Sequence, residues 1–201
     1  SKLLLLLFYN ITIYKNKKKF TMGKLIAITG GTGLIGSHLA TALKEKGYEV
    51  AIITRSPDKA REKLPSMDEF VSTESDLKDI AEKAHGIINL AGASLAKRWN
   101  DEYKKLLTDS RLQMTEKVVD AIRRAENKPS ILISSSGVDY YGESRLTKNE
   151  TAPPGKGFLP ELCEKWEAKA AEAEDFTRVV RIRTGVVFAH GAEAFEKLVK
   201  P

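Results

Sequence analysis

Between residues 24 and 184, short apolar runs alternate with stretches in which apolar residues recur every three or four positions. Runs of four to six apolar residues read as buried strands, and the 3.6-residue recurrence reads as amphipathic helix. Residues 25–29 form a first strand that breaks into glycines. Residues 34–46 then place Leu34, Ile35, His38, Leu39, Ala42 and Leu43 on one helical face, and Gly47 supplies a stop. Residues 50–54 are the second strand. Ser56-Pro57-Asp58 opens a short helix to residue 64, with proline just inside its start. Residues 69–71 and 87–90 are the third and fourth strands, with a helix over 76–84 between them. Asn100 or Asp101 caps a long helix to Arg124, whose stripe Tyr103, Leu107, Met114, Val118 and Ile122 is expected to face the sheet. Residues 131–134 make a fifth strand, 142–157 a Gly/Pro-rich loop, 159–174 a helix and 178–183 a sixth strand, and a last helix starts over 192–199. Six strands alternating with helices predict an α/β fold: a Rossmann-type doubly wound parallel sheet with helices on both faces.

Composition narrows the chemistry. Gly and Pro together make only 21 of the 201 residues, which sets aside disordered and fibrous classes. A lone cysteine, Cys163, excludes a disulfide scaffold and any multi-cysteine metal site, and the three histidines lie far apart. The net charge of +6 suggests nucleic acid until it is located. Residues 1–21 hold five lysines and no acid, so residues 22–201 carry only +1. Nucleic acid is therefore not an expected partner. The leader 1–21 has an apolar run too short to span a bilayer, and its positive cluster follows that run instead of preceding it. It is expected to lack a fold role. No membrane association is expected and the location expected is cytoplasmic, with organelle targeting by the leader left open.

The chemistry-bearing motif is Thr29-Gly30-Gly31-Thr32-Gly33-Leu34-Ile35-Gly36, set between a predicted strand and a predicted helix. Gly30 permits a sharp turn, Gly33 lets the backbone approach a pyrophosphate, and Gly36 lets helix pack on strand. Thr32, Leu34 and Ile35 complete the loop and the helix N-terminus, whose free N–H groups favour phosphate. No Lys-Ser/Thr follows, so a dinucleotide is favoured over ATP. At the end of the second strand stands Thr54-Arg55-Ser56, with Lys59 one turn on, where NAD enzymes usually carry an acid. A guanidinium at Arg55 suits a 2′-phosphate, which makes NADP the expected cofactor.

These residues resemble the short-chain dehydrogenase/reductase superfamily, and most closely its atypical, epimerase-like branch related to nucleotide-sugar epimerases. Beyond the glycine loop the resemblance rests on Asn89-Leu90-Ala91-Gly92-Ala93; on Arg98-Trp99, Tyr103-Lys104, Ser110-Arg111 and Thr115; on Ser134-Ser135-Ser136 with Tyr140-Tyr141-Gly142; and on Arg181-Ile182-Arg183-Thr184-Gly185-Val186-Val187. It implies that Asn89, Leu90, Ala91, Gly92 and Arg111 line the cofactor. It also implies hydride transfer between substrate and nicotinamide, with a Ser on the reacting oxygen, best matched by Ser136 and next by Ser135. The branch's C-terminal substrate-binding part is expected to be missing, so residues 22–201 are read as the NAD(P)-binding domain.

The chain departs from the superfamily at its Tyr-x-x-x-Lys pair. Counting back from Glu167, these positions fall on Leu159 and Cys163, and no Tyr follows Tyr141. The nearby candidates are Tyr140 and Tyr141, just past Ser136, and Tyr103, Lys104 or Arg111 on the facing helix. Tyr141 is the candidate proton donor, against the simpler expectation that it packs in the cleft wall. Cys163 as a nucleophile is weaker, having no neighbouring base in the helix. Two functions stand: an NADP(H)-dependent oxidoreductase or epimerase acting on an unidentified small molecule, or a non-catalytic NADP(H)-binding redox sensor. A homodimer is left open.

Overall fold

The computed structural model describes residues 23–144 and 146–187. The leader 1–21 and the helix expected over 192–199 lie outside the described residues. Six strands form one parallel sheet: β1 (Leu25–Thr29), β2 (Glu49–Thr54), β3 (Glu69–Ser72), β4 (Gly86–Asn89), β5 (Ile131–Gly137) and β6 (Arg178–Thr184). Their spatial order is β3-β2-β1-β4-β5-β6, so the order reverses between β1 and β4. The helices are α1 (Leu34–Glu45), α2 (Pro57–Lys63), α3 (Lys78–Lys83), α4 (Asp101–Arg124) and α5 (Phe158–Ala171), with a 3₁₀ turn at Val138–Tyr141. The expected Rossmann arrangement is therefore the observed one.

Burial explains the apolar runs. Every residue of β1 and β4 is buried, as befits parallel strands covered on both faces. Ile26, Ile28, Val50 and Ile52 pack with Leu39, Ala40 and Leu43 of α1 and Ala60 of α2. Ala27, Ile53, Ile87 and Leu132 pack on the other face with Ile80 of α3 and with Val118, Val119 and Ile122 of α4. Helix α4 starts where expected: the Asn100 side chain accepts a bond from the Tyr103 N–H (2.8 Å).

Two differences matter for the site. Strand β5 runs three residues beyond its expected end, because Ser135, Ser136 and Gly137 pair with Ile182, Arg183 and Thr184 of β6. And the stripe that α4 buries includes Arg111 and Thr115, one turn apart between Leu107 and Val118, while Met114 only packs at its margin.

Candidate functional site

In an open parallel sheet, ligands gather at the carboxyl ends of the strands where the order reverses, here between β1 and β4. The turn out of β1 fits that use. Gly30 takes φ +67°, and a Cβ on it would lie 2.9 Å from the Leu90 carbonyl group. A Cβ on Gly36 would lie 2.4 Å from the Gly30 oxygen, so no larger residue lets α1 start this close to the strand. Gly33 N–H donates to the Gly30 carbonyl (3.0 Å) and Gly33 itself caps α1. No side chain caps α1 and its first turn holds no acid, which leaves the N–H groups of Leu34 and Ile35 and the positive end of the helix for an anion. The carbonyl of Thr32 accepts a bond from Lys63 Nζ (2.7 Å), so a cation of α2 reaches the glycine turn. Arg55 follows β2 directly and is exposed, while half-buried Thr54 accepts a bond from the Ser56 N–H. These residues fit a dinucleotide along the carboxyl edge.

A closed polar network supports this edge. Thr29 Oγ1 donates to Asn89 Oδ1 (2.6 Å), and Asn89 Nδ2 donates to Thr115 Oγ1 (2.8 Å). Thr115 also accepts from Trp166 Nε1 (2.9 Å) and donates to the Arg111 carbonyl. Thr29 Oγ1 in turn accepts from the Leu90 and Ala91 N–H groups. The ends of β1 and β4 are thereby tied to α4 and α5. Gly92 and Ala93 continue the loop above Arg111, which is buried and donates to the Ala93 carbonyl (3.1 Å).

The second cluster lies between β5, β6 and α5. Burial alternates along β5, placing Ser134 and Ser136 on the α5 face and Ser135 on the other. Ser136 Oγ donates to Glu167 Oε1 (2.6 Å). Glu167 also receives two bonds from Arg183, Nε to Oε1 and Nη2 to Oε2, both 2.8 Å. Arg183 Nη1 donates to the Tyr141 hydroxyl (2.9 Å), and its Cζ sits 3.4 Å from the Tyr140 ring centroid. Burial pushes the Glu167 carboxyl up, but the Arg183 and Ser136 bonds outweigh it and hold the group below the usual carboxylate range. The pairing holds Arg183 above the usual guanidinium range.

The structure thus brings Ser136 and Tyr141 together through Glu167 and Arg183, and leaves Ser135 apart. Leu159 and Cys163 lie on α5, Cys163 buried with its thiol pushed up by burial, so no acid–base pair stands there. Glu167 and Arg183 are the residues that sequence reasoning passed over. Their signal was present: Arg181 and Arg183 alternate on a strand, and Glu167 lies one turn past Cys163.

Residues 26–196 match the NAD dependent epimerase/dehydratase family. The chain belongs to that family. Among its epimerase-family relatives, the chloroplastic SDR39U1 homolog of Arabidopsis thaliana is 36% identical over 180 residues, covering 87% of this chain and 52% of the relative. Human epimerase family protein SDR39U1 is 33% identical over 181 residues, covering 88% of this chain and 58% of the relative. A crystal structure of that human protein (isoform 2) with NADPH superposes with a TM-score of 0.76 at 30% identity, over 87% of this chain and 58% of that one. UDP-glucuronic acid 4-epimerase from Bacillus cereus, in complex with NAD, shares the fold at a TM-score of 0.67 and 20% identity, over 82% and 57%. The chain spans about half the length of the curated relatives it matches. No helix among the described residues is long and apolar enough to cross a membrane.

Proposed function

We propose that this chain is the dinucleotide-binding part of an epimerase-family protein that takes NADP(H) and, when catalytic, moves a hydride to or from a small molecule. The observation that carries the reading is the glycine turn with its uncapped, acid-free helix start, in a chain 30% identical to a relative crystallised with NADPH. The α1 N-terminus holds the pyrophosphate, Arg55 pairs with the 2′-phosphate, and residues 89–92 floor the cleft. The bound nicotinamide would supply or take the hydride. Ser136 is the serine placed to meet the reacting oxygen once its hydroxyl turns from Glu167, and Tyr141 is the phenol whose hydroxyl joins the same cluster through Arg183.

A specific observation favours the sensor reading beside this one: Leu159 and Cys163 stand where the superfamily's acid–base pair would be, and Cys163 is buried. The test is NADPH consumption by the full-length protein against carbonyl compounds and sugar nucleotides. If turnover is found, Ser136→Ala is expected to lower it about tenfold or more with little change in NADP affinity, and Cys163→Ala to leave it nearly unchanged. Loss of activity in Cys163→Ala but not in Ser136→Ala would show that this assignment is wrong. Tight NADPH binding without turnover on any substrate selects the sensor.

A further inference from the structure

Helix α4 carries two polar side chains into the core, Thr115 and Arg111. The bonds of Thr115 close within the protein. Arg111, 7% exposed, donates to the carbonyls of Leu107 (3.0 Å) and Ala93 (3.1 Å), and its Cζ lies 5.2 Å from the Trp166 ring centroid. Its Nε has no hydrogen-bond partner, and no carboxylate lies within ion-pair distance of it among the described residues. The other guanidinium at this edge, Arg183, is neutralised by both oxygens of Glu167. Burial without a counter-ion is costly for a charge, and it holds Arg111 below the usual guanidinium range. The titratable groups that press on it are Cys163 and Tyr103. Neither is a carboxylate, and burial keeps the Cys163 thiol protonated.

The loop is shaped around this charge. A Cβ on Gly92 would lie 2.9 Å from Arg111 Cζ and 3.2 Å from Nε, so only bare backbone fits beside the guanidinium, which also has the Trp166 ring centroid 5.2 Å from its Cζ. Its position is two residues past the point where Gly30 meets Leu90 and Ala91, towards α5. We propose that Arg111 is an anion-holding site, taking a carboxylate or phosphoryl oxygen of the molecule in the cleft side-on through Nε and a terminal N–H. The proposal rests on the reading that a dinucleotide lies along this edge, and the anion comes either from that dinucleotide or from an acidic substrate beside it.

The test uses the full chain as parent, Arg111→Met and Arg111→Lys, followed by thermal unfolding. Without ligand, Arg111→Met should melt at or above the parent temperature, since an uncompensated buried charge has been replaced by an apolar chain. Each protein is then titrated with NADPH, with malonate at saturating NADPH, and with inorganic phosphate or malonate alone. A parent affinity weakened at least about tenfold in Arg111→Met and partly kept in Arg111→Lys supports the site. Loss confined to NADPH assigns the anion to the dinucleotide, and loss confined to malonate on the NADPH complex assigns it to a substrate carboxylate. If the parent does not bind NADPH, the dinucleotide reading fails, while the phosphate and malonate arms still decide the site. An Arg111→Met variant that melts well below the parent and binds every probe as the parent does would overturn the proposal and make Arg111 structural.

Discussion

Glu167→Ala is expected to cost about 3–5 kcal/mol of folding stability, the loss typical when one partner of a buried ion pair is removed. The side chains of Glu167 and Arg183 are 10% and 16% exposed, so the charge left on Arg183 gains little water in exchange. Ser136 loses its acceptor at the same time, and the hold on Tyr141 loosens. Against a typical domain stability of about 5–15 kcal/mol this is severe. Urea unfolding of the parent, Glu167→Ala and Glu167→Gln reads it out, with the Gln variant intermediate because it keeps one hydrogen-bond acceptor for Ser136. The pH dependence carries a second check. The folded-state pKa of Glu167 lies below its ordinary 4.5, so its contribution is complete above that value and is lost as the pH falls through the folded value. The parent should therefore lose stability on acidification more steeply than Glu167→Gln. Equal stabilities of parent and alanine variant would show that the pair contributes nothing.

Gly36→Ala is expected to be the tightest glycine-to-alanine change among the described residues. Its Cβ would enter a space 2.4 Å from the Gly30 carbonyl oxygen and 2.7 Å from Gly31 Cα, both backbone atoms that no rotamer change can move aside. Either α1 backs away from the turn or the turn opens, and both displace the N–H groups of Leu34 and Ile35. Overpacking of this kind costs about 1–3 kcal/mol or more, and NADPH affinity should fall by more than about tenfold as the phosphate cradle loses its shape. Gly47→Ala is a suitable control for the general effect of a glycine change, since a Cβ there meets nothing within 4 Å, although its φ of +83° carries a local strain. Thermal melts and NADPH titration of the three proteins check the prediction. Unchanged NADPH binding in Gly36→Ala would contradict it.

The fold was legible because its strands are buried on both faces. β1 and β4 are apolar runs with no polar alternation to confuse them, and the glycine turn sits between the first of these runs and a helix with a clear 3.6-residue period. The end of β5 was not legible. Serines and a glycine carry little strand preference, and pairing with β6 decides their conformation instead. The stripe on α4 was read in part: Leu107, Val118 and Ile122 are buried and Met114 packs against them as expected, Tyr103 instead bonds the Ser94 carbonyl, and the polar Arg111 and Thr115 join the buried face through partners far away in sequence. The glycines, Asn89 and Ser136 could be named from motif and resemblance. Glu167 and Arg183 left a signal in the sequence but were passed over, because their roles arise from an ion pair between a helix and a strand that only the folded chain brings together. Arg55 is legible in type and place, exposed immediately after β2.

Isothermal titration of the chain with NADPH and with NADH, repeated on Arg55→Asp, tests the account most directly. NADPH should bind the parent more tightly than NADH by about 1–3 kcal/mol, the worth of a charge-assisted phosphate contact, and Arg55→Asp should reverse that preference. Equal affinities in the parent, or no binding of either dinucleotide, would contradict it.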